Sequence, residues 1–112
     1  MNFHDKAHEL VKAFKETEEY KTYITLKEEI KQDEKSFSMI KDFKDKQRNY
    51  QIEYMNSGVM NETTKGELEN LYSIIIQNEK ARKLLESEMR LDILLADMQK
   101  ILAEGVKEIV EF

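Results

Sequence analysis

The only two histidines, His4 and His8, stand four residues apart, and on a helix that spacing turns both to one side. Asp5 lies three residues before His8, so this trio is where two imidazoles and a carboxylate could share a metal ion. The Asp-x-x-His spacing resembles the Glu-x-x-His of carboxylate-bridged di-iron bundles, whose facing helices each supply ligands to one centre. Such a centre needs further carboxylates from other helices, and a symmetric dimer would have to bring two copies of the trio together. With 23 Asp and Glu in the chain, an acid beside a histidine is expected by chance, and a solvated helix end is the simpler reading. The sequence therefore assigns no cofactor and no metal, with His4, Asp5 and His8 as the alternative.

Other chemistries find little support. The absence of Cys removes thiol nucleophiles, disulfides and cysteine-held zinc or iron–sulfur centres, and fits a reducing cytosol. Ser36, Ser38, Ser57, Ser73 and Ser87 sit in no recognisable nucleophile setting, and no catalytic triad can be assembled from the pattern. Gly58, Gly66 and Gly105 are too far apart to form one phosphate-binding nest. The paired acids Glu18-Glu19 and Glu28-Glu29 could act as acid and base only in a dry cleft, and the lysines beside them indicate open solvent. Lys41, Lys44, Lys46 and Arg48 form the one local basic cluster. Asp42 and Asp45 halve its charge, so an ordinary charged helix face is preferred to an RNA-binding one. Tyr20, Tyr23, Tyr50, Tyr54 and Tyr72, with six Met, could line an adaptable partner groove, although core packing accounts for most of them.

These side chains belong to a chain of 112 residues that is 37% charged, lacks Pro and Trp, and carries a formal charge of -5. That sign disfavours direct nucleic-acid binding through the overall field. No apolar run approaches the roughly 18 residues needed to span a bilayer, and no export signal is recognisable, so the expected location is cytoplasmic. Leu, Ile, Val and Phe make up about a quarter of the chain, enough for one small folded domain over residues 1–112.

Apolar residues recur at three- and four-residue steps almost throughout, which predicts an all-α bundle of about five helices. The first runs from Asn2 to Glu16, with Phe3, Ala7, Leu10, Val11 and Phe14 on one face and Asn2 as its cap. A break at Thr17 to Glu19 precedes a short second helix marked by Tyr20, Tyr23, Ile24 and Ile30. Asp33 should cap a third, reaching about Met55, with Phe37, Ile40, Phe43, Tyr50 and Tyr54 on one face. Asn56 to Thr64 reads as a loop in which Gly58 supplies a left-handed stop and Asn61 or Thr63 a new start. Leu68, Leu71, Tyr72 and Ile75 mark the fourth helix, and Asn78 is a candidate break or recap before the chain continues. The fifth is read as one helix from Glu79 to Val110. Its seam of Ala81, Leu84, Leu91, Leu95, Met98, Leu102 and Ile109 is widened by Leu85, Leu94, Ile101 and Val106. Outer faces carry i, i+4 pairs such as Asp42 with Lys46, Glu79 with Lys83 and Glu86 with Arg90.

Thirty residues of helix make a rod of about 45 Å, longer than the roughly 35 Å diameter of a compact domain of this size. A long C-terminal helix with a broad apolar face needs cover, most simply from a second copy of the chain. A homo-oligomer, with a two-fold dimer as the simplest form, is expected. Leu84, Leu91, Leu95, Met98, Leu102 and Ile109 are its interface candidates.

The chain resembles the YlbF/YmcA family of small bacterial helical proteins, and within it the YheA-like branch, over nearly its whole length. The likeness rests on Thr17-Glu18-Glu19-Tyr20 after the first helix, Asp33 opening the third, and Phe43 with Gln47 ahead of the Gly58 loop. It continues in Asn78-Glu79-Lys80, Leu84, Glu86-Ser87-Glu88 and Leu91 through Ile101. The resemblance implies an oligomeric, cytosolic, all-helical protein without catalysis. Some relatives are accessory factors for competence, sporulation and biofilm formation, acting in a complex that directs an RNA-cleaving enzyme. Members of that complex carry cysteines linked to iron–sulfur clusters, which this chain lacks. The expected function is thus a non-enzymatic regulatory or adaptor protein that binds another protein, with a metal carrier or enzyme using the His4, Asp5 and His8 trio as the alternative.

Overall fold

The structure is a computed structural model that describes residues 2–111. It is all-α: α1 (Phe3–Lys15), α2 (Glu18–Ile30), α3 (Glu34–Ser57), α4 (Glu62–Ile75) and α5 (Glu79–Gly105), followed by a single 3-10 turn at Lys107–Ile109. Each helix begins where a short polar side chain takes up an orphan backbone donor. Asn2 Oδ1 accepts from the Asp5 amide at 2.9 Å, and Thr17 Oγ1 from Tyr20 at 3.2 Å. Asp33 accepts from Ser36 at 3.2 Å, Asn61 from Thr64 at 3.1 Å, and Asn78 from Ala81 at 3.0 Å. Gly58 ends α3 with φ 71°, the left-handed conformation that a residue without Cβ adopts at little cost, and its N–H donates to the Tyr54 carbonyl at 2.7 Å.

The C-terminal helix is shorter than its periodicity suggests. It stops at Gly105, where the sequence reading continues to Val110. Glycine is a poor helix former and Val106, next to it, leaves the helical region at φ -121°, ψ 19°; the chain then tightens into the 3-10 turn. The apolar spacing persists through Val106, Ile109 and Val110, but periodicity reports a face, not the backbone that carries it. At 27 residues, α5 is about 40 Å long.

The chain divides into two compact units, with the divisions falling inside α2 and α5: one unit runs through Thr25 and resumes at Leu85, and the other is Leu26–Leu84. In the second unit α3 and α4 pack as a hairpin across the Gly58 turn. Its buried apolar side chains are Ile30, Ile40, Phe43, Ile75, Ala81 and Leu84, and the Phe43 and Tyr72 rings meet at 5.9 Å. Ser36, 1% exposed, is held by a bond from Asn78 Nδ2 at 2.8 Å. In the first unit Leu85 and Ser87 are buried, whereas α1 buries no residue at all. Among the described residues, no buried side-chain nitrogen or oxygen lacks a hydrogen-bond partner.

Candidate functional site

An open apolar groove lies in the first unit. α1 repeats apolar residues at Phe3, Ala7, Leu10 and Phe14, and α5 does so at Leu94, Met98, Ile101 and Leu102; the C-terminal part of the first stripe, Leu10 and Phe14 with Ala13, and the α5 stripe line a common groove of about 330 Å³. Of its nine lining residues only Thr17 and Asp97 are polar. The stripes continue beyond it as bare surface, with Phe3 80% and Ile101 69% exposed. Of the interface candidates on α5, Leu84 is buried inside its own chain, Leu91, Leu95 and Met98 are half-buried, and Leu102 and Ile109 are exposed, Ile109 lying in the 3-10 turn.

A second apolar surface caps the α3–α4 hairpin in the other unit. Tyr50, Gln51, Tyr54, Met55 and Met60 line a groove of about 390 Å³, and Ile52 and Val59 are exposed. The turn beneath it is pinned from several sides. Asn61 Nδ2 donates to Glu53 Oε1 at 3.1 Å, and Ser57 Oγ donates to the Glu53 carbonyl at 2.9 Å. Two of the five tyrosines singled out from the sequence, Tyr50 and Tyr54, are therefore at an open surface. Tyr72, partly exposed, packs at a tilt against Phe43, and Tyr20 meets Phe14 edge to face at 5.9 Å. Tyr23 is half-buried, and its phenol is pushed above the usual tyrosine range by desolvation first and then by the Glu88 and Asp92 carboxylates.

The sequence-derived polar candidates do not assemble into a centre. His4, Asp5 and His8 are exposed on α1, the Asp5 amide is taken by Asn2, and the His4 ring lies edge-on to Phe3. Among the described residues, no group of three or more His, Cys, Asp or Glu side chains could hold a metal ion. In the basic cluster, Arg48 is bonded to Asp45 at 2.9 Å, an exposed i, i+3 pair. Lys83 meets Glu79 at 3.0 Å, as its spacing predicts, and that bond holds the Glu79 carboxyl below its ordinary range.

One polar junction escaped the sequence reading. Asp33, which opens α3, and Asn78-Glu79-Lys80, which opens α5, meet: Asn78 bonds Ser36, and Lys80 Nζ stands 3.5 Å from Asp33 Oδ2. The Asp33 carboxyl is held below the usual carboxylate range, chiefly by the Ser36 backbone N–H and further by Lys80. The partners are 42 and 47 residues apart, so no local pattern pairs them. Asp33 and Asn78 were each visible alone as cap candidates, and the junction they form with Ser36 and Lys80 ties two helix starts together.

The sequence profile of a family described as "Control of competence regulator ComK, YlbF/YmcA" matches residues 3–107. Similar proteins span nearly the same length. A UPF0342 protein of Symbiobacterium thermophilum is 38% identical over 103 residues, covering 92% of each chain. One of Caldicellulosiruptor saccharolyticus is 39% identical over 105 residues, 94% of this chain and 88% of its own. Another, of Desulfitobacterium hafniense, is 34% identical over 110 residues, 98% and 89% respectively.

Proposed function

Because the chain belongs to the YlbF/YmcA family, and is accordingly a non-enzymatic, all-α regulatory protein of bacteria, we propose that it acts in the cytosol as a homo-oligomeric adaptor that docks onto another protein. The pathway we propose is the control of competence and related developmental programmes such as sporulation and biofilm formation, with an RNA-processing or regulatory protein as the partner. The family description supports the first part, and the resemblance of the motifs supports the second. Among the described residues, no helix is long and apolar enough to cross a membrane.

The observation that carries the docking reading is the open Tyr/Met groove on the α3–α4 hairpin. Tyrosine supplies large contact area with a polar tip, and methionine adapts its shape to a partner; both are enriched where proteins bind one another. The surface is also held by a rigid turn, which lowers the entropy lost on association. Capture of partners by the tagged chain from a lysate of the bacterium that encodes it tests this. The wild type should retain an RNA-processing or regulatory protein, and Tyr54→Ala with Met55→Ala should reduce its recovery at least tenfold while helicity is unchanged. Equal recovery by both forms would remove the hairpin from the docking role.

A further inference from the structure

We propose that the α1/α5 groove of the first unit is one half of a four-helix seam, closed by the same groove of a second copy so that α1 of each chain packs on α5 of the other. The inference rests on the homo-oligomeric reading and goes beyond it by assigning α1, which contributes none of the α5 interface candidates, half of the contact.

Three observations lead to it. The first is that α1 is strongly amphipathic yet has no fully buried residue within its own chain: Phe14 is half-buried, and Phe3 and Val11 are 80% and 48% exposed. An apolar stripe on a helix is stable in water only when it is covered, and most helical stability in proteins comes from that cover. Two helices side by side bury the strip between them but leave one broad face open, and placing two such layers face to face completes a bundle core.

The second observation is the area available. Phe3, Leu10 and Val11 on α1, Ile101 and Leu102 on α5, and Val106 just past its end are 39–80% exposed. At about 100 Å² for each large apolar side chain, they and the groove walls offer on the order of 700 Å² per chain, close to the roughly 800 Å² per partner of a stable interface. A small apolar ligand in the groove would leave most of those outer side chains bare.

The third is charge. Within Phe3–Lys15, α1 carries Lys6, Lys12 and Lys15 against Asp5 and Glu9, whereas α5 from Leu91 to Gly105 carries Asp92, Asp97 and Glu104 against Lys100. The two helices therefore differ in sign. A two-fold axis that sets α1 on the partner's α5 brings opposite signs together twice, while α5 on α5 would oppose like charges.

Light scattering on the full chain, with substitutions at exposed groove positions, provides the test. Wild type should show twice the 13.4 kDa chain mass, and both Leu10→Glu and Ile101→Glu should raise the dimer dissociation constant at least tenfold with helicity retained. The absence of natural Cys allows a second measurement. Chains carrying Val11→Cys mixed with chains carrying Leu102→Cys should form a mixed disulfide on oxidation, whereas Val59→Cys mixed with Leu102→Cys should not. A dimer that ignores both Glu substitutions and gives no mixed disulfide would overturn this seam while leaving a homo-oligomer in place. A monomeric wild type would overturn both readings, and uptake of an apolar dye by that monomer, lost in Ile101→Glu, would assign the groove to a small apolar ligand instead.

Discussion

Asn78 does two jobs with the two ends of one amide. Its Oδ1 caps α5 by accepting from the Ala81 amide, and its Nδ2 satisfies the buried hydroxyl of Ser36. Asn78→Ala should remove a cap worth about 1 kcal/mol and leave Ser36 Oγ without its partner at a further cost of about 1–3 kcal/mol. The expected result is a Tm lower by roughly 10–20 °C for a domain of this size, measured by thermal melting followed by circular dichroism. A Tm within two or three degrees of wild type, on the order of 0.5 kcal/mol, would show that the junction is not a stabilising clamp. The cap was legible in the sequence, because Asn before a run of helix formers is a local signal. The bond to Ser36 was not, because it joins residues 42 positions apart and neither residue type announces a long-range partner.

At the scale of elements, the glycines occupy two kinds of helix position, one at an end and one inside. Gly58 has φ 71° and ends α3, whereas Gly66 lies inside α4 and a Cβ there would meet nothing within 4 Å. Gly66→Ala should therefore stabilise the protein by about 0.5–1 kcal/mol through helix propensity, while Gly58→Ala should destabilise it by about 1–2 kcal/mol. Urea denaturation of both variants should show midpoints moving in opposite directions; a shared direction would contradict this reading of the two sites. Helix starts were readable because caps are local, and the end of α5 was misread because apolar spacing runs on across Gly105 into the 3-10 turn. Faces were readable only in part. On α3, Ile40 and Phe43 are buried as their spacing suggests, but Phe37 and Tyr54 on the same stripe are exposed.

For the whole molecule, burial sorts the long apolar seam of α5 into interior and surface. Leu84 is 4% exposed, so its truncation to Ala should cost about 2–5 kcal/mol of folding stability whatever the association state. Leu95 is half-buried, and Leu95→Asp places a charge on the face assigned to association. The expected outcome for Leu95→Asp is loss of the oligomer by light scattering together with a lower Tm; an unchanged mass and Tm would remove Leu95 from the interface. One seam in the sequence thus holds positions with different tasks, because heptad spacing records which side of a helix is apolar and not what lies against it.

The sequence by itself determined the all-α class, the number and order of the helices, the caps at Asn2 and Asp33, the Gly58 stop, and the family. All of these follow from signals within a few residues or from motif order along the chain. The structure then chose Asn61 over Thr63 as the start of α4 and made Asn78 a cap. Only the tertiary structure decided that Asp33, Ser36, Asn78 and Lys80 meet, that Tyr50 and Tyr54 line an open groove with Met55 and Met60, and that no residue of α1 becomes buried. The physical reason is that local hydrogen bonding and apolar periodicity are encoded at short range. Which apolar stripe is covered, and by what, depends on the packing of segments far apart in the chain.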